Sequence, residues 1–256
     1  MANCSKCGNP LILRKGKCIY CGASADEARQ PASESEQPKI RKSKPIKQRR
    51  SFVNQPRSIQ ELVIKVTSPG YDDIGRILTQ LNIKYQPFDN DYHCDILFLN
   101  CGTGDSIDSQ QLVSFVQNGG ILYASDLTSS HIISAWPDIM VVSNNTSSCS
   151  IKADIVDSDL RQYIGNSINV EFDLSSWSKI ISTSRGKVLM RSAAEQYPIM
   201  MEFDIGQGKV FYTSFHNHAQ LDEAEEKLLR LLVIKQVSVA TKQSLQQTMQ
   251  SFSGSI

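Results

Sequence analysis

From Ser58 onward the apolar positions of this chain switch between two periods. "ELVIKVTS" is a β-branched run. It is followed by Tyr71 to Asn82, where Ile74, Ile77, Leu78 and Leu81 fall at the spacing of one face of a helix. A strand is predicted around Ile83 to Pro87, and then "CDILFLNCG", an almost wholly apolar run of the kind buried on both faces of a parallel sheet. A helix is expected from Ser109 to Gln117, with Leu112, Phe115 and Val116 inward. The turn Asn118-Gly119-Gly120 leads into a second buried strand, "ILYAS".

After a short helical piece around His131 to Trp136 the rhythm loosens into "SIKADIV", "NVEFDL", "WSKIIST", "KVLMRSA" and "PIMMEFD", a set that reads as antiparallel or mixed strands. Gly206-Gln207-Gly208-Lys209 leads into the strand "VFYTSF". A final helix is expected from Asp222 to about Gln236, with Leu221, Ala224, Leu228 and Leu232 on one stripe, and a polar, frayed tail from Ser238. Repeated strand–helix units imply an α/β fold, a mostly parallel sheet flanked by helices.

The first 57 residues follow different rules. Cys4-Ser5-Lys6-Cys7-Gly8 and Cys18-Ile19-Tyr20-Cys21-Gly22 are two C-x2-C-G turns, separated by a stretch in which Leu11, Ile12 and Leu13 suit one arm of a hairpin. Four thiolates at this spacing meet the tetrahedral demand of Zn2+, and the glycine after each pair permits a tight turn. A small zinc ribbon with Cys4, Cys7, Cys18 and Cys21 as ligands is therefore expected. Metal binding would supply most of its folding free energy, on the order of 10 kcal/mol. From 23 to 57 the chain lacks apolar periodicity and is expected to be a disordered linker. The domain plan is thus a ribbon at 1–22, a linker at 23–57, an α/β domain at 58–237 and a flexible tail at 238–256.

Charge sharpens this division. Residues 1–50 hold 12 Lys/Arg against 4 Asp/Glu, an excess of eight, in a chain whose total is +1, so the remainder carries a net −7. Lys39, Arg41, Lys42, Lys44, Lys47, Arg49 and Arg50 form a block without an acid among them, which suits an anionic partner such as nucleic acid. No aromatic side chains interleave there to stack bases, and a solvated linker is the simpler expectation. No apolar run has the length of a membrane span, the N-terminus lacks the pattern of a signal peptide, and the cysteines are not placed as a disulfide framework. Membrane insertion is not expected, and a cytoplasmic location is.

The segments "YDDIGRILTQL", "DILFLNCG", "FVQNGGILYASD" and "GQGKVFYTSFHNH" resemble the class I glutamine amidotransferase-like superfamily, including its trehalose-utilisation-type branch, over residues 60–236. In amidotransferases of this class a strand ends in Phe-His-Pro-Glu, whose His is the general base and whose Glu orients it. Phe215-His216-Asn217-His218 stands in the matching place, with His218 where the Glu should be. The resemblance further implies a nucleophilic cysteine on a sharp strand-to-helix turn. Here the local pattern Ala124-Ser125-Asp126-Leu127-Thr128 puts Asp126 at that bend, and a carboxylate is a poor substitute for a thiolate in attacking an amide.

Three readings follow. The scaffold has lost its catalysis and serves as a protein-interaction or ligand-sensing adaptor, with the ribbon docking a further protein partner. Alternatively, it is a hydrolase or amidotransferase-like enzyme. That enzyme would use Ser125 with His216 as base, or a divalent metal gathered by Asp126, His216, His218 and His131. Third, it is a nucleic-acid-associated factor acting through the ribbon and basic linker. Among the other cysteines, Cys101 is placed where ligands of open α/β sheets gather, whereas Cys94 and Cys149 carry no such signal.

Overall fold

In the computed structural model the described residues are 57–216 and 223–252, with short pieces at 13–14, 17–18 and 24–25. The chain divides into two units, 1–52 and 53–256. In the first, β1 (Leu13–Arg14) pairs antiparallel with β2 (Lys17–Cys18), Leu13 opposite Cys18. Cys4, Cys7 and Cys21, and all of the basic linker but 24–25 and 57, lie outside the described residues.

The second unit is built on a nine-stranded sheet. Five strands run parallel: β3 (Ile64–Val66), β4 (Gln86–Pro87), β5 (Ile96–Leu99), β6 (Ile121–Ser125) and β13 (Gly208–Thr213). Their spatial order is β4-β3-β5-β6-β13. Relabelled by sequence this is 2-1-3-4-5, the doubly wound order in which ligands gather beyond the carboxyl ends of the strands. Beyond β13 the sheet continues antiparallel through β12 (Pro198–Ile205), β11 (Lys187–Ser192), β8 (Cys149–Ile155) and β9 (Ser167–Phe172). The loosened rhythm after residue 140 is this antiparallel half, plus a separate ribbon of β7 (Met140–Ser143) with β10 (Lys179–Thr183).

Strand alternation sorts side chains onto two faces. Ile96, Phe98, Ile121 and Tyr123 join one apolar cluster with helices α1 (Ile74–Gln80) and α5 (Glu223–Thr241). Leu97, Leu99, Leu122 and Ala124 join another with α2 (Ser109–Gln117) and α3 (Ser129–Ala135). Burial on both faces is what makes β5 and β6 uninterrupted apolar runs. Asp73 caps α1 by accepting from the Arg76 N–H, and Asp108 caps α2 by accepting from the Gln110 and Gln111 N–H groups.

Two elements depart from expectation. The final helix does not stop near Gln236 but runs to Thr241, and a capped helix α6 (Leu245–Gln250) follows, with Leu245 and Phe252 buried. The tail expected to fray from Ser238 is instead packed through Phe252, because Val237, Leu245 and Phe252 all belong to the first apolar cluster. A helix not foreseen, α4 (Ser158–Ile164), is started by Asp157, which accepts from the Leu160 N–H. No helix among the described residues is long and apolar enough to cross a membrane.

Candidate functional site

Two loops at the carboxyl edge of the parallel strands are drawn together by close backbone contact. The Tyr71 N–H donates to the Cys101 carbonyl at 2.7 Å, joining the loop after β3 to the loop after β5. At Gly70 a Cβ would lie 2.5 Å from that same carbonyl oxygen, so only glycine fits. Gly102, at φ +74°, is packed under the Tyr71 ring. Asn100 completes the junction: its Oδ1 accepts from the Ile74 N–H at 3.0 Å, and its Nδ2 donates to the Thr67 carbonyl at 2.8 Å.

This junction buries Asp72, whose Oδ2 accepts from the Cys101 N–H and from the Ser125 hydroxyl. Ser125 is the last residue of β6 and is extended, at φ −128°. The bend falls one residue later. Asp126 has φ +43°, the left-handed conformation that a strand-to-helix elbow requires and that Asp tolerates better than most residues. The elbow is held on three sides. Thr128 Oγ1 donates to the Ser125 carbonyl at 2.7 Å, Tyr212 donates to the Asp126 carbonyl at 2.9 Å, and the Ser178 N–H donates to Asp126 Oδ1 at 2.7 Å.

The other carboxylate oxygen of Asp126 faces a cysteine and a histidine. Asp126 Oδ2 is 3.8 Å from Cys101 Sγ and 3.9 Å from His216 Nδ1, and these three donor atoms lie within 4.8 Å of one another. His216, just past β13, is tethered through Nε2 to Asp173 Oδ1 at 2.9 Å. The Tyr71 ring stands 6.1 Å away, centroid to centroid. The site is closed: Cys101 and Ser125 have no exposure, Asp126 has 1% and His216 4%.

Burial pushes the Asp126 carboxyl up to about 6, against the Ser178 amide and the His216 ring, which favour the charged form; Asp72 adds to the upward push. Burial likewise, reinforced by Asp126 and Asp72, pushes the Cys101 thiol well above its ordinary value. Burial therefore favours the neutral thiol of Cys101 over the thiolate.

Of the residues singled out from sequence, Asp126 and His216 are brought together, and Cys101 joins them. Ser125 is adjacent in the chain but its one proton goes to Asp72, so it is not a hydroxyl activated by His216. His131, half-buried on α3, is outside the group, and His218 lies outside the described residues. Sequence reasoning missed Asp72, Asp173 and Ser178. The first sits in "YDDIG" beside the capping Asp73, and only the chain path distinguishes a buried acid from a cap.

No family model and no curated protein matches this chain. Similar folds are found among solved structures. A ThuA-like protein from Bacteroides uniformis aligns with a TM-score of 0.53 at 10% identity, over 73% of this chain and 93% of that one. The N-terminal domain of mmIFT52 aligns with a TM-score of 0.50 at 11% identity, over 69% of this chain and 97% of that domain. A glutamine amidotransferase from Thermotoga maritima reaches 0.47 at 10% identity, over 71% and 98%, below the level at which a common fold follows. The main unit is thus an α/β domain whose fold is similar to that of the ThuA-like protein and of the mmIFT52 N-terminal domain. At such identities the likeness extends to the fold and no further.

Proposed function

We propose that this chain is a non-catalytic adaptor: an amidotransferase-like α/β domain that senses a ligand or docks a protein, joined to a zinc ribbon that docks another partner. In this reading Cys4, Cys7, Cys18 and Cys21 hold Zn2+ in the ribbon. The segment between the units lets both engage at once, so that linkage raises the effective concentration of one partner at the other.

The observation that carries the reading is Asp126 at the elbow. The position that demands a thiolate for attack on an amide holds a carboxylate, already bonded to the Ser178 amide and closed from solvent. Ser125, the hydroxyl next to it in the chain, gives its proton to Asp72. Incubating the full chain with glutamine, small amides and esters and following ammonia and acid release is expected to give the rate of buffer alone. Turnover abolished by Asp126→Ala or by His216→Ala would overturn the proposal.

A further inference from the structure

We propose that Cys101, Asp126 and His216 form a binding site for one divalent transition-metal ion of the Zn2+ type, distinct from the ribbon. The three side chains come from the carboxyl ends of three neighbouring strands, β5, β6 and β13, and offer one sulfur, one oxygen and one nitrogen to a common point.

The three donor atoms converge at near-ligand spacing, with Cys101 Sγ also hydrogen-bonded to Asp126 Oδ2. Zn2+ bonds of about 2.0–2.3 Å in tetrahedral geometry place donor atoms about 3.3–3.8 Å apart. The separations of 3.8 Å for Cys101–Asp126 and 3.9 Å for Asp126–His216, with all three atoms within 4.8 Å of one another, lie at or just beyond that range, so a small inward shift of the side chains would close them on an ion; 3.9 Å is too long for a hydrogen bond. Three protein ligands with a fourth position left for water or another group is also the usual make-up of an open zinc site.

The surroundings point the same way. His216 Nε2 is engaged by the Asp173 carboxylate at 2.9 Å, the carboxylate–histidine pairing that fixes the tautomer and turns the other nitrogen toward a metal. Asp126 Oδ1 is occupied by the Ser178 amide, which aims Oδ2 into the group. Asp173 is therefore a positioning residue, acting through His216. The mixed sulfur, nitrogen and oxygen set selects a borderline ion over Mg2+ or Ca2+, which take oxygen donors. For its purpose this inference rests on the ligand-sensing reading above, naming the ion as the ligand, whereas binding itself is measured independently of it.

The test uses the full chain with Cys4→Ala and Cys7→Ala, so that the ribbon is silent. Titration with Co2+ is expected to saturate at one equivalent with a thiolate-to-cobalt charge-transfer band, displaced by Zn2+. The band is expected to vanish in Cys101→Ser, and binding to vanish in His216→Gln. Asp173→Asn is expected to keep the stoichiometry while weakening affinity roughly 10- to 100-fold. Circular dichroism of each variant separates loss of the site from loss of the fold. No band with the ribbon-silenced chain, or equal binding by folded His216→Gln, would overturn the proposal. Binding accompanied by metal-dependent ester turnover would sustain the site and end the non-catalytic reading. An absence of both binding and turnover would end the site alone.

Discussion

The Ser178 N–H donates to Asp126 Oδ1 at 2.7 Å, so that an amide preceding β10 supports a carboxylate at the bend after β6. Removing the acceptor leaves a buried N–H without a partner, which costs about 1–3 kcal/mol. Asp126→Ala is expected to lower stability by that amount in urea unfolding with chelator present. Asp126→Asn, which retains an acceptor oxygen, should stay near wild type. Equal losses in both variants would show that the hydrogen bond is not what matters there.

Asp157 is fully buried beneath two lysines: Lys187 Nζ lies 2.5 Å from Oδ2 and Lys235 Nζ 3.1 Å from Oδ1. Burial pushes its pKa up, but the Lys187 hydrogen bond, the Leu160 N–H and Lys235 together outweigh it, and the net shift is downward. A carboxyl depressed in the folded state contributes stability at pH values above its unfolded value, near 3.9. That contribution is lost as the pH falls through the lower, folded value. Asp157→Asn should therefore lose about 3–5 kcal/mol at pH 7 and flatten the acid limb of the stability profile below about pH 4, read from urea midpoints across pH.

Gly70 lies where a methyl group would meet the Cys101 carbonyl, which is backbone and cannot swing aside. Gly70→Ala should cost about 1–3 kcal/mol as an overpacked contact and push the loop after β5 outward. Cobalt affinity of the ribbon-silenced chain should fall with it. A stable Gly70→Ala variant with unchanged affinity would show that the two loops do not need their close approach.

Arg57 Nη1 is 2.7 Å from Asp95 Oδ1, which makes this residue part of the main unit although the sequence placed it at the end of the linker. A chain lacking residues 1–56 keeps that pair. It is expected to unfold cooperatively, and to show no salt-sensitive retention of RNA or DNA, because the residues left carry a net −7. Fluorescence anisotropy at two salt concentrations, beside the full chain, checks this. Salt-dependent binding by the shortened chain would place a nucleic-acid surface on the α/β unit.

Regular, doubly buried elements were legible from the sequence, and junctions were not. "ILFLNC" and "ILYASD" announce buried strands because neither face of β5 or β6 meets water. The same strands deliver Cys101 and Asp126 to one edge, which chain order alone suggests. Asp173 and Ser178 come from a connection in the antiparallel half, and nothing in their neighbourhood marks which acid or amide will reach the elbow. The helix α4 was hidden because "SDLRQYI" is short, with one fully buried residue, and its start is fixed by an Asp whose other role is to pair with Lys235. The packed C-terminus was overlooked for a related reason: its apolar residues are spread thinly between polar ones, and burial depends on the neighbouring helix.

β13 is read in parallel by β6 along one side and antiparallel by β12 along the other. His216 follows directly from it, and through Asp173 that histidine also touches the connection leaving β9, the outermost strand. One imidazole therefore stands at the seam between the parallel and antiparallel halves while bonded to the segment that leaves an edge strand of the sheet.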